Sequence, residues 1–96
     1  MCNDLVEISK IMSHPRRLKI MNVLTSGDRL SAKEISSKLG PKILPQYLYD
    51  DLNMMRHAEM VSREFDDDKG CFLFSLRGNK LIVDLDSLEI KWCNDV

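Results

Sequence analysis

Ser31-Ala32-Lys33-Glu34-Ile35-Ser36-Ser37-Lys38-Leu39-Gly40, then Pro41-Lys42-Ile43-Leu44, then Pro45-Gln46-Tyr47-Leu48-Tyr49-Asp50-Asp51-Leu52-Asn53-Met54-Met55: this stretch decides the fold of the chain. Ser31 and Glu34 have the spacing of a capping box, in which the hydroxyl accepts from the N–H three residues on and the carboxylate reaches back. Ala32, Ile35 and Leu39 recur at i, i+3 and i+7 and give that helix one apolar face. Gly40 ends it, because glycine enters the left-handed region without strain. Pro45 suits the first turn of a second helix, where its missing N–H costs nothing. That helix, about 45–57, divides into two faces. Leu48, Leu52 and Met55 point inward; Gln46, Tyr49, Asp50 and Asn53 point outward, with Tyr47 at the flank. Two short helices joined by a turn make a helix-turn-helix, which offers its second helix to a duplex groove.

Upstream, Asn3 can cap a first helix with Leu5, Ile8 and Met12 on one face, and Ser13-His14 break it. Pro15 opens the next helix. There Leu18, Ile20, Met21, Val23 and Leu24 cover so wide an arc that the helix is expected at the centre of the core, ending at Ser26-Gly27-Asp28. Downstream, Val61 to Phe65 reads as a strand, Asp66-Asp67-Asp68-Lys69-Gly70 as a hairpin tip, and Cys71 to Leu76 as the return, with Phe72, Phe74 and Leu76 on one side. The expected architecture is α+β, mostly α: one winged helix-turn-helix domain over 1–96. Its helix-turn-helix covers about 31–57, and its two-stranded hairpin wing about 60–76. The segment 79–96 is ambiguous. Leu81, Leu85, Leu88 and Trp92 suit a helix, while Leu81-Val83-Leu85 and Leu88-Ile90-Trp92 suit alternating strands. The helix is the preferred reading, although Val, Ile and Asp are mediocre helix formers.

At 96 residues, with 44% hydrophobic and 30% charged content, the chain has the make-up of one globular domain. No apolar run approaches the roughly 18–20 residues that span a bilayer. Met1-Cys2-Asn3-Asp4 lacks the basic flank and apolar stretch of a signal peptide, so a cytoplasmic protein is expected. Cys2, Cys71 and Cys93 are too few and too scattered for a disulfide framework or a zinc site, and reduced thiols are expected. If the termini pair in a dimer, Cys2 and Cys93 could meet as a redox pair. The net charge of −1 is unevenly spread. Residues 1–46 hold eight Lys/Arg against four Asp/Glu, giving +4, and residues 47–96 hold six against eleven, giving −5. The front half therefore supplies the basic surface that phosphate neutralisation needs. There is no Ser/His/Asp grouping, no phosphate-cradling glycine loop and no paired acidic cleft, so an enzyme is not expected, and neither is a cofactor.

Three segments resemble a known family. Ser13-His14-Pro15-Arg16-Arg17-Leu18-Lys19-Ile20 is similar to the S-D-P-T-R-L-R-I-L segment of ArsR-like winged-helix transcriptional regulators. Ala58-Glu59-Met60-Val61 resembles their A-G-L-V, and Phe74-Ser75-Leu76-Arg77 their Y-S-L-R at the end of the wing. The likeness spans roughly residues 5–78. It implies a prokaryotic or archaeal homodimeric repressor that docks its fourth helix in the major groove and pairs through its first and last helices. That would place Leu5, Ile8, Leu81, Leu85, Leu88 and Trp92 in the dimer interface. The chain departs from the family in several places. Arg29-Leu30-Ser31-Ala32-Lys33 carries no Cys-x-Cys, and His14 and His57 are isolated, so no metal is expected. The turn from Gly40 to Pro45 is longer than the family norm. Asp50 and Asp51 stand where the family often places basic residues, and Asp66-Asp67-Asp68 occupy the wing tip.

The expected partners are double-stranded DNA and a second copy of the chain, with no membrane. Gln46 and Asn53 can bond adenine edges, Asp50 can accept from cytosine, and Tyr47 and Tyr49 can reach phosphate or stack; alternatively this is a solvated helix face. Lys33, Lys42, Arg16, Arg63 and Lys69 are the phosphate candidates, although Arg16 and Arg17 could equally form the polar stripe of a buried helix, with Arg17 salt-bridged. The acidic wing tip reads as a soluble hairpin end, as a repulsive element that holds the wing off the duplex, or as an attractor of a basic protein. The competing function is a winged-helix protein-interaction module with little or no DNA binding, which the acidic back half would suit.

Overall fold

The computed structural model describes residues 5–41 and 43–94, so the Asn3 cap and Cys2 lie outside the described residues, as does Lys42. The helices are α1 (Leu5–Met12), α2 (Pro15–Leu24), α3 (Ala32–Leu39) and α4 (Pro45–His57). The strands are β1 (Leu30–Ser31), β2 (Val61–Asp66), β3 (Cys71–Leu76), β4 (Lys80–Asp84) and β5 (Glu89–Cys93). Pro15 and Pro45 each occupy the first turn of their helices. The capping box is fully formed. Ser31 Oγ accepts from the Glu34 N–H at 3.1 Å, and Glu34 Oε1 accepts from the Ser31 N–H at 3.2 Å. These bonds, the one from the Ser31 backbone first, hold the Glu34 carboxyl below its ordinary range. Gly40 follows α3 with φ of 100°.

The core is helical at its centre and closed by the sheet. Ile8 and Ile11 of α1, Ile20 and Leu24 of α2, Ile35 of α3, and Leu48, Leu52 and Met55 of α4 meet Met60, Val61 and Phe74. The inward stripe expected for α4 is the buried one. In α2 the apolar arc is narrower than expected: Ile20 and Leu24 are buried, but Leu18 lies on the exposed side. The wing pairs β2 with β3 antiparallel, Val61 opposite Leu76, Arg63 opposite Phe74 and Phe65 opposite Phe72. β1, a strand that the sequence did not announce, completes a sheet of order β1-β3-β2 by pairing Leu30 with Phe74. Two residues are too short to show a period of two, so only the partner strand reveals them.

The segment after the wing corrects an expectation. Residues 80–93 form an antiparallel hairpin, with Leu81 opposite Trp92 and Val83 opposite Ile90, and not a terminal helix. Alternation outweighs the helical spacing here for local reasons. Asp84 Oδ1 accepts from the N–H groups of Asp86 and Ser87, an Asx turn that reverses the chain. Ile82, Val83 and Ile90 are β-branched residues suited to strands. Gly78 lets the return strand close in: a Cβ there would lie 2.7 Å from the Cys93 carbonyl oxygen. Leu81, Ile90 and Trp92 pack on the core.

Candidate nucleic-acid interface

α4 is held in place by packing on one side and by a buried carboxylate at its flank. Asp51, 1% exposed, accepts from Arg16 Nε at 2.5 Å, from Arg16 Nη2 at 3.1 Å and from Arg17 Nε at 3.0 Å. Burial is the largest single influence on this carboxyl and raises its pKa. The hydrogen bonds from Arg16 and Arg17, with their charges, outweigh burial and leave the pKa below the ordinary value. Of the two carboxylates at positions where the resembled family often has basic residues, Asp51 therefore does not stand on the outward flank beside Asp50. It faces α2, and only Asp50 is exposed. Both arginines are engaged with it. Arg16, a phosphate candidate from the sequence, also lies with its guanidinium carbon 5.2 Å from the centroid of the Tyr47 ring.

The solvent side of α4 carries Gln46, Tyr47, Tyr49, Asp50 and Asn53, all exposed as expected from the helical spacing. Beside it, a groove of about 570 Å³ runs between the start of α3, α4 and the wing. The structure brings five of the sequence candidates into its lining: Lys33, Tyr49, Asn53, Arg63 and Lys69. Lys33 is exposed on the first turn of α3. Arg63 projects from β2 with its guanidinium carbon 4.1 Å above the Phe72 ring, a cation–π contact that orients the charge. Lys69 lies 3.9 Å from Glu34, an exposed pair worth little. Gln46, Tyr47, Asp50 and Arg16 do not line this groove. A smaller hollow of about 340 Å³ between α3 and α4 adds Ser36 and Ser37 next to Lys33 and Tyr49.

Strand alternation sorts the charges of the wing. Arg63 and Phe65 alternate onto the face that lines the groove, with Phe72 and Phe74 opposite them. Glu64 and Asp66 fall on the other face, with Leu73 and the ion pair from Arg29 to Glu64. Asp67 and Asp68 border this outer face. Asp66 is also structural: its Oδ1 accepts from the N–H groups of Asp68 at 2.9 Å and Lys69 at 3.2 Å, which shapes the tip ending at Gly70 (φ 66°). The sequence reading missed Phe65 and Phe72 as surface residues of the site. Phe65 is 54% and Phe72 43% exposed. The available signal was the alternation of Arg63 with Phe65, which puts both on the side of Phe72 and Phe74.

Of the residues expected at a dimer interface, Ile8 is buried in the core of its own chain and offers no surface; this corrects its assignment. Leu5, Leu81 and Trp92 are half-buried, and Leu85 and Leu88 are exposed in the turn of the β4–β5 hairpin. Among the described residues, no three His, Cys, Asp or Glu side chains gather as metal ligands, and no helix is long and apolar enough to cross a membrane.

No protein-family model matches the chain, and no curated protein matches it. Solved structures similar to it include the following two. Rv0081 of M. tuberculosis is 26% identical, with a TM-score of 0.63; the match covers 74% of this chain and 67% of that one. The ferric uptake regulator (Fur) of Vibrio cholerae, a protein with DNA-binding domains, is 30% identical with a TM-score of 0.59; the match covers 81% of this chain and 65% of that one. The chain thus spans about two thirds of the length of each of these two structures. Fur is by its name a regulator, and the fold of this chain is that of the winged-helix regulators.

Proposed function

We propose that this chain is a sequence-specific DNA-binding transcription regulator, most simply a repressor. It acts as a homodimer and places α4 in the major groove. The gathering of Lys33, Tyr49, Asn53, Arg63 and Lys69 around one groove beside α4 carries this reading. In it, Gln46 and Asn53 hydrogen-bond adenine edges and Asp50 accepts from cytosine N4. Tyr47 and Tyr49 contact the backbone or stack, and Lys33, Arg63 and Lys69 neutralise phosphates. Arg16 contributes through Asp51 by holding α4 at its angle. The ArsR-like segments and the similarity to Fur support the same reading. Dimerisation through the β4–β5 hairpin, with Leu85 and Leu88 exposed in its turn, would set two recognition helices about one duplex turn apart and obstruct polymerase.

The test is the salt dependence of binding to a random duplex, followed by selection from a randomised duplex pool. The expected result is steep loss of affinity between about 50 and 200 mM salt and an enriched sequence with two half-sites. One observation favours a second reading, a protein-interaction module. The outer face of the wing carries Glu64 and Asp66, with Asp67 and Asp68 at its border. Absence of duplex binding at about 50 mM salt would favour the module and remove the regulator.

A further inference from the structure

The groove between α4 and the wing carries more open aromatic surface than duplex recognition uses. Tyr49 is 53%, Phe65 54% and Phe72 43% exposed. Phe65 and Phe72 meet edge to face, with centroids 5.2 Å apart and planes at 80°, while Arg63 lies over the Phe72 ring. Phosphates ask for charge and hydrogen-bond donors, and base edges ask for polar groups. A phenyl wall supplies neither, and exposing it to water is unfavourable unless something covers it. In a duplex the flat faces of the bases are already stacked on one another. An unpaired strand presents those faces free, together with one phosphate per nucleotide.

We propose that this groove binds single-stranded nucleic acid. Bases stack on Phe65 and Tyr49, and the strand's phosphates lie against Lys33, Arg63 and Lys69. Charge complementarity selects the occupant. The whole chain has a net charge of −1, yet the groove lining holds three cations and, among the described residues, no carboxylate; the nearest stated one, Glu34, lies outside the lining, 3.9 Å from Lys69. A cationic groove interleaved with aromatic side chains is the physical recipe for sequence-tolerant binding of unpaired strands. This inference does not rest on the duplex reading. The two ligands share Lys33, Tyr49, Arg63 and Lys69, so they compete.

The experiment is fluorescence anisotropy of a labelled oligothymidylate of about 12 nucleotides with the full chain at about 50 mM salt. Saturable binding is expected, weakened about 5- to 100-fold by Phe65→Ala and retained by Phe65→Trp. Phe65 is over half exposed, so the alanine variant is expected to fold, and circular dichroism checks it. Lys91→Ala, an exposed cation of β5 outside the groove, leaves oligothymidylate binding unchanged. The proposal is overturned if folded wild-type chain shows no saturable binding, or if Phe65→Ala binds as tightly as wild type. Equal affinity for thymidine monophosphate and for the oligomer also overturns it, by reassigning the groove to a free nucleotide. Duplex binding measured in parallel separates the two claims. An intact duplex signal without strand binding sinks only this inference, and strand binding without a duplex signal sinks only the regulator.

Discussion

Arg16, in the first turn of α2, grips Asp51 of α4 with two prongs, Nε to Oδ2 at 2.5 Å and Nη2 to Oδ1 at 3.1 Å. Arg17 adds a third bond to Oδ1. These bonds tie α2 to α4 beside the cation–π contact of Arg16 with Tyr47, and they oppose rotation of α4 about its own axis. Removing the carboxylate leaves two arginines without their partner. Both retain some access to water, with side chains 27% and 14% exposed, which limits the penalty. Asp51→Asn is therefore expected to destabilise the fold by about 1–3 kcal/mol, below the roughly 3–5 kcal/mol of a fully buried broken pair. Urea unfolding measures it; unchanged stability would show that apolar packing alone orients α4.

The same carboxylate sets a pH dependence. Its pKa in the folded chain lies below the ordinary aspartate value, so folding favours the ionised form. The stabilisation is complete above the unfolded pKa of about 3.9 and is lost as pH falls through the lower folded pKa. Wild type is expected to lose stability progressively as pH falls below about 4, and Asp51→Asn to show a flatter acid limb there. Thermal unfolding at stepped pH compares them. Parallel acid limbs would assign the acid sensitivity to other carboxylates.

Substitutions around α4 are expected to divide by role. Asn53→Ala and Gln46→Ala should each cost about 1–3 kcal/mol on a selected site and little on random duplex. Lys33→Ala and Arg63→Ala should weaken both and lower the salt slope by about 1 each. Arg16→Ala should act differently, reducing stability through Asp51 without changing the slope. A slope that falls with Arg16→Ala as it does with Lys33→Ala would return Arg16 to the phosphate contacts.

The acidic wing tip is expected to act at a distance. Asp67 and Asp68 lie near the outer face, so their repulsion of a duplex is screened over a Debye length of about 10 Å at 0.1 M salt. The Asp67→Asn, Asp68→Asn double variant should tighten duplex binding several-fold at about 50 mM salt and hardly at about 200 mM. An equal gain at both concentrations would mean that the tip touches the duplex directly. Asp66→Ala is expected to loosen the turn instead, because its Oδ1 holds two backbone N–H groups.

Glu59 takes the position at which the resembled motif has glycine, and its φ is 60°. A side chain there carries the left-handed penalty of roughly 1–2 kcal/mol. Its compensation is a 3.4 Å exposed pair with Arg77, which is weak. Glu59→Gly is expected to stabilise the fold by about 0.5–1 kcal/mol after the greater flexibility of the unfolded glycine is allowed for. A lower melting temperature would show that the Arg77 contact outweighs the strain.

The local signals in the sequence were sufficient for most elements whose determinants are close together in the chain. The capping box at Ser31 and Glu34, the prolines opening α2 and α4, the inward stripe Leu48-Leu52-Met55 and the alternating wing all depend on neighbours within a few residues, and periodicity exposes them. Two things depended on residues far apart, and a third on a choice between two local patterns. Asp51 stood beside Asp50 at a position where the resembled family often has basic residues, until α2 brought Arg16 and Arg17, 34–35 residues away, against it. β1 became a strand only because Phe74 and Leu73 lie opposite it. The segment 80–93 satisfied two periodicities at once, and the close approach of Cys93 to Gly78 favoured the hairpin. Helices and caps arise from short-range hydrogen bonds that the sequence spells out. Charge pairing, strand partnership and the meeting of basic and aromatic side chains in one groove arise only when distant segments share space.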